Sequence, residues 1–283
     1  LRAALPDGLR PREGAGGGEA RGHAWPSRRD PKLSRARQLR HYEAGLAHER
    51  DLRLMDAARE FERAAAGPDG AIAAPALARL SKQYCDLGWN AYAKRAELIW
   101  CPHIVPPPPD TEREGRALAL RALELAREAG ATYPHSSKCR LAVAAALGRL
   151  AMYSDNRTKV KMSNEVLEAT EDIIATNPDD DYGWHSLGRW HHEMSRMNLA
   201  AKLVIKLYYQ GSVFNASRDV SIRSYLKAIE IAPGRLVHKV ELAKVYEAAG
   251  DLDKALGQLD AAMECDVEDY NAWTVRAAGR EAR

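Results

Sequence analysis

Thirty-four residues separate Pro233 from Val267, and again Lys239 from Trp273. Between these marks stand Ala243, Tyr246, Gly250, Ala255, Leu259 and Ala262, at offsets that suit two antiparallel helices. Small side chains at Ala243, Ala255 and Ala262 let the helix axes approach. Tyr246 and Leu259 fill the space beside them, and Gly250 allows the turn without a Cβ penalty. Ala228 and Pro233 carry the same closing signature one period earlier, and Trp273 opens a unit one period later. Such a unit cannot bury its apolar face alone, so it must stack on neighbours.

The stretch Asn177–Gly188, NPDDDYGWHSLG, belongs to the same series. Pro178 closes one unit, and Trp184, Leu187, Gly188 and His191 open the next. Trp184 and Leu187 are expected to fill the space between helices, and Gly188 to mark the close approach. Pro178 lies 55 residues before Pro233, which leaves an insertion of about 21 residues over one period, centred on 195–218. Pro134 lies 44 residues before Pro178, an excess of about 10 that falls around 153–162. A weaker unit spans 38–68, with Ala57, Phe61 and Ala64 in place. The spacing is that of a tetratricopeptide repeat, and the expected fold is all-α: a right-handed solenoid of tetratricopeptide-like helix pairs over 34–283, behind a flexible basic arm at 1–33.

The rest of the chain agrees with a helical reading. Ala, Leu, Arg and Glu dominate, and alternating β-branched runs are nearly absent. Helices are predicted over 37–50, 55–66, 76–100, 112–129, 136–152, 159–176, 182–207, 219–231, 236–249 and 252–265, with a last one from about 269. The third carries Leu77, Leu80, Tyr84 and Leu87 at helical spacing. The run Pro106–Pro109 predicts a stiff connector, after which Asp110 or Thr111 caps the next helix.

Net charge is +3, unevenly spread. Residues 1–40 hold ten Arg and Lys against four Asp and Glu, so the remainder is mildly acidic. A basic arm invites an acidic surface such as tubulin, RNA or anionic lipid. Cys85, Cys101, Cys139 and Cys265 are scattered, which disfavours a zinc ribbon or a disulfide scaffold. No apolar run reaches the roughly 20 residues of a bilayer span. The expected compartment is cytoplasmic or cytoskeletal. The chain begins with Leu, and a removed targeting segment would allow an organelle interior.

No motif points to catalysis. His191, His192, Glu193 and Met194 evoke a zinc site, but the residue four after His192 is Arg196, so the two-histidine spacing fails. Cys101 and His103 have no second ligand pair. The GAGGG run precedes no strand-to-helix signal, and no nucleophile motif is present. No enzyme activity, cofactor or metal is expected.

Two surfaces are candidates for a partner. Residues 198–210, NLAAKLVIKLYYQ, place Leu199, Leu203, Leu207 and Val204 on one stripe. Lys202 and Lys206 share another face, and Ile205, Tyr208 and Tyr209 widen the apolar surface towards a docking protein or membrane headgroups. The concave face of a helical array is the second surface, with Lys138, Arg189, Glu193, Lys239 and Glu241 as its polar residues.

Taken in order, Pro134, the segment DNRTKVKMSNEVLEATEDIIATNPDD, then YGWHSLGRWHHEMSRMNLAAKLVIKLYYQG and SYLKAIEIAP resemble the regulator of microtubule dynamics family. The resemblance covers roughly 76–273. It implies an all-helical adaptor without chemistry of its own, associated in some members with microtubules or organelle membranes. The expected role is a non-enzymatic, protein-binding scaffold. The alternative is a structural or accessory subunit of a large assembly, held by its arm and its insertion. RNA binding is the weaker third reading, because the body is slightly acidic and lacks a one-base-per-repeat pattern.

Overall fold

The structure is a computed structural model, and it describes residues 30–92, 109–198, 202, 203, 205 and 215–282. The basic arm up to 29, the proline-rich connector before Pro109 and most of the insertion lie outside the described residues. Every regular element within them is helical. In order these are α1 (Arg35–Arg50), α2 (Leu54–Ala65), α3 (Gly70–Tyr92), α4 (Pro109–Thr132), α5 (Ser137–Ala151), α6 (Asn156–Thr176), α7 (Asp181–Ser195), α8 (Arg218–Ile231), α9 (Leu236–Ala249), α10 (Leu252–Met263) and α11 (Tyr270–Ala282).

Each helix packs on the next, and each odd-numbered helix also touches the following odd-numbered one. Helix pairs therefore stack into a solenoid, with α1, α3, α5, α7, α9 and α11 forming one continuous inner layer. Several starts are set by short polar caps. Ser34, Ser136, Asp155 and Asp180 each accept a hydrogen bond from the backbone N–H three residues on. Gly250 ends α9 at φ 82°, a left-handed turn that an L side chain resists.

Three sequence expectations need correction. Helix α3 begins at Gly70, not 76, because the Asp69 carboxylate accepts from Ala71 N at 2.9 Å and starts the helix ahead of Pro75. Helix α4 already begins at Pro109, so Asp110 and Thr111 lie inside it rather than at its cap; Pro tolerates the first helical position because its missing N–H has no partner there anyway. The single helix expected over 182–207 stops at Ser195. Arg196 is its C-cap, and Lys202 and Leu203 are helical again, with the Lys202 N–H bonding Asn198 O at 3.1 Å.

The cores are built from alanine and leucine between layers. Ala119, Ala122, Ala126, Ala146 and Leu147 form one cluster at the junction of α3, α4 and α5. Ala57, Phe61, Leu80, Leu125 and Ala129 form the next one towards the N-terminus. The turn between α2 and α3 is held by a polar residue instead. Gln38 is fully buried; its amide donates to Ala64 O at 2.8 Å and Asp69 O at 3.0 Å, and accepts from Asp69 N at 3.1 Å. Ala64 O and Asp69 O also accept from Gly67 N and from Ile72 and Ala73 N, so Gln38→Ala leaves only the Asp69 N–H without a partner, and is expected to cost about 2 kcal/mol in urea-induced unfolding.

Candidate functional site

The inner layer encloses a channel of about 1740 Å³, walled from Glu49 of α1 to Asn271 of α11. Its two ends meet. Lys82 of α3 places its ammonium 3.3 Å from Asp269, the residue that caps α11 through Ala272 N. The same ammonium lies 2.6 Å from Asp86 and 3.1 Å from Glu49. Burial alone would lower the Lys82 pKa, but Asp269, Asp86 and Glu49 more than offset that and hold it well above its usual value. The solenoid thus curves until its second pair touches its last helix, across an ionic cluster.

A second polar chain forms the wall between α7 and α9. His238 is fully buried. Its Nε2 lies 2.9 Å from Asp181 Oδ2, and its Nδ1 lies 2.9 Å from His185 Nδ1. Asp181 also binds Arg235 at 2.6 Å, and Arg235 reaches Glu268 at 2.6 Å. The network assigns the protons: His238 Nε2–H donates to the carboxylate, so its bare Nδ1 accepts from His185 Nδ1–H. Both rings are neutral in that arrangement. Burial, with His238 beside it, brings His185 down to about 3, and burial also lowers His238.

Acid should therefore weaken the fold. A depressed folded-state pKa contributes stability that is complete above the unfolded value near 6.5 and is lost as pH falls towards the folded one. Asp181, whose pKa is lowered by His238 and Arg235 against its own burial, acts in the same direction at lower pH. His185 keeps some solvent contact, so its share between pH 7 and pH 5 is about 1–2 kcal/mol. Urea midpoints at the two pH values measure it, and His185→Gln is expected to flatten the difference.

The candidate partner residues fall in different places. Lys138, Arg189, Glu193 and Glu241 line the channel. Glu241 and Lys244 are a buried pair at 2.7 Å. Burial would raise the Glu241 carboxyl, but Lys244 and Arg189 together hold it far below the usual range. Lys239 is not on the concave face. It is buried, donates to the Pro233 carbonyl and meets Cys265 Sγ at 3.3 Å, so its role is to tie the start of α9 to the end of α10. Lys202 is not a free basic face either: its ammonium donates to Ser195 O at 3.3 Å, at the end of α7. Leu203 is 45% exposed, and Ile205 is buried and lines the channel. Lys206, Tyr208 and Tyr209 lie outside the described residues.

Of the repeat-packing residues, Ala228, Ala243, Ala255 and Ala262 are buried. A Cβ on Gly188 would lie 3.0 Å from the Tyr225 ring. Trp184, Leu187, Tyr246 and Trp273 are half-buried, and Pro233 is exposed. Trp184 donates to Pro178 O at 2.8 Å, which closes the turn before α7. The deep aromatic of α7 is Trp190, bonded to Ser163 O and Oγ at 3.0 and 2.9 Å. Repeat spacing does not single it out; its place on the same helix as Gly188 is the one available signal. His191 Nδ1 accepts from Ser217 N at 3.2 Å and His192 is buried. Among the described residues no group of His, Cys, Asp and Glu is arranged to hold a metal ion, and no helix is long and apolar enough to cross a membrane.

Stacked helix pairs around an elongated concave channel define a tetratricopeptide-like repeat protein. A solved structure of a thermophilic tetratricopeptide protein from Thermus thermophilus superposes with a TM-score of 0.58 at 18% identity, covering 86% of this chain and 99% of that one; it bears on the fold alone. Residues 73–281 match the model of the family described as regulator of microtubule dynamics protein 1-3, and the chain belongs to that family. Regulator of microtubule dynamics protein 3 of Mus musculus is 27% identical over 181 residues, which is 62% of this chain and 38% of the relative. The Rattus norvegicus protein of the same name is 25% identical over 179 residues, again 62% and 38%. The chain therefore spans 38% of the length of these curated relatives.

Proposed function

We propose that this chain is a non-enzymatic adaptor that holds an extended segment of a partner protein in its concave channel, and that it does so at microtubules. The channel carries the reading: it is about 1740 Å³, long, and walled by alternating apolar and charged side chains from every inner helix. That is the geometry by which helical arrays grip extended chains. The microtubule assignment draws on the name of the relatives, regulator of microtubule dynamics. In this proposal residues 1–33 form a separate basic arm and residues 34–283 the repeat domain, which places the compartment at the cytoskeleton.

A second reading, an accessory subunit of a larger assembly, has one observation in its favour. Leu252 and Leu256 stand on one face of α10 and are 59% and 42% exposed, where a terminal unit would normally be polar.

Co-sedimentation with polymerised tubulin tests the first reading. Ala145 lines the channel and faces water, so Ala145→Trp obstructs the space without entering a core. The wild-type chain is expected to pellet with microtubules, and the folded variant to lose most of that binding. Binding that survives the obstruction would move the site off the channel. A chain that ignores microtubules, yet enters a stoichiometric complex that Leu252→Lys with Leu256→Lys disrupts, belongs to the second reading.

A further inference from the structure

The wall of the channel has a recess of about 30 Å³ between α3, α5, α7, α9 and α11. Arg149, His185, Arg189, Glu241 and Lys244 line both the recess and the channel, so a group threaded along the channel reaches it. One water needs roughly 10–15 Å³ of such space, so a group with two oxygens fits. Three basic side chains, Arg149, Arg189 and Lys244, share the recess with one carboxylate, Glu241. Lys244 takes that carboxylate at 2.7 Å.

Arg149 is held in place but not satisfied. Its guanidinium carbon lies 4.3 Å above the ring of buried Trp89, which fixes the plane and leaves the N–H edge to bind. Among the described residues its Nη1 meets only the sulfur of Met152, at 3.6 Å, and its Nε is buried without a hydrogen-bond partner. Burial lowers the Arg149 pKa, and Arg189 lowers it further. Arg189 feels Glu241 and Glu193 through space, and these outweigh its own desolvation. Asp86 acts on Arg149 from a distance but is bonded to Lys82 at 2.6 Å. Two guanidinium groups from successive inner helices thus face one small space, with no ion-pair partner for Arg149 among the described residues. A guanidinium whose Nε is buried without a partner calls for an anion.

We propose that this recess is an oxyanion site that receives a carboxylate side chain of the bound segment, gripped by Arg149 and Arg189, so that the channel selects acidic partners. The planar, stacked Arg149 supplies a two-toothed grip and Arg189 a second charge-assisted contact. This selectivity rests on the adaptor reading above. It concerns the recess alone, and the sedimentation experiment does not depend on it.

The test uses the full chain, with hexaglutamate, hexaglutamine and inorganic phosphate as probes in calorimetric titration at low salt. Hexaglutamate is expected to bind and hexaglutamine not. Arg189→Gln, at a water-facing position, is expected to weaken hexaglutamate at least about tenfold, with Arg189→Lys recovering part of it. Arg149→Gln should do the same, and its circular dichroism and melting curve show whether loss of the Trp89 stack has unfolded it. If it has, Arg189→Gln alone decides. No hexaglutamate binding, or equal binding to Arg189→Gln, overturns the site. Phosphate that binds in an Arg189-dependent way while hexaglutamate does not also overturns it, since the recess would then take a free ion. A chain that pellets with microtubules through its channel yet ignores hexaglutamate loses the subsite and keeps the adaptor role. A chain that does neither loses both.

Discussion

Lys82→Met is expected to destabilise the chain by about 3–5 kcal/mol at pH 8, more than any other single change to its polar groups. Lys82 is shared by three carboxylates, Glu49, Asp86 and Asp269, which are only 2%, 3% and 6% exposed. They are not equally dependent on it. Glu49 keeps Arg79 at 2.6 Å and the Gln83 amide at 2.7 Å. Asp269 keeps the Ala272 N–H at 2.8 Å. Asp86 loses its short bond to Lys82, and burial already raises its pKa. In the variant Asp86 should take up a proton at still higher pH, which relieves the buried charge. The loss is therefore expected to shrink as pH falls from 8 to 5. Urea unfolding at both values measures it. A loss below about 1 kcal/mol at pH 8 would mean that water reaches the cluster and that α3 and α11 are not joined by it. Because the cluster bridges the second pair to the last helix, a variant that stays folded should also show a larger radius of gyration in solution scattering.

That cluster was not legible in the sequence, and the reason is physical. Lys82 and Asp269 lie 187 positions apart, and what joins them is the accumulated curvature of the stacked pairs. A repeat period specifies each pair and its neighbour, because those contacts recur at fixed offsets. It does not specify how far the array turns. Ala243, Ala255 and Ala262 could thus be assigned to a core from spacing, and the structure buries all three. The role of Lys239 could not be read in the same way, since its position on the first helix of a pair is equally compatible with the channel or with the Pro233 turn. Only the side-chain path to Pro233 O and Cys265 decides it. Arg149 is hidden for a related reason. Arg149, like Arg140 on the same alanine-rich helix, looks like a solvated residue until Trp89 on α3 and Arg189 on α7 are brought beside it. The break after Ser195 carries only a weak local signal, because no Pro or Gly stands there; Ser195 and Asn198, which favour helix ends over interiors, are the whole of it.

Gly188→Val is expected to cost about 3 kcal/mol, through contact rather than charge. The Gly188 position meets Cδ2, Cε2 and Cγ of Tyr225 at 3.0–3.1 Å from where a Cβ would stand. Tyr225 is fully buried and cannot swing into solvent. Ser221 Oγ donates to Gly188 O at 2.7 Å, so the two helices are pinned at the same point and cannot simply slide apart. A branched side chain must therefore push α8 off α7. Tyr225→Leu removes the ring and makes the space, so the double variant should recover at least about 1 kcal/mol relative to the sum of the single changes. Additive losses would show that Gly188 is not in contact with the ring. The strain also has a functional consequence, because Arg189 is the next residue on α7. Moving α7 by a few tenths of an ångström shifts that guanidinium in the recess. Gly188→Val is therefore expected to weaken hexaglutamate binding even where the chain remains folded, and Tyr225→Leu to restore the affinity together with the stability.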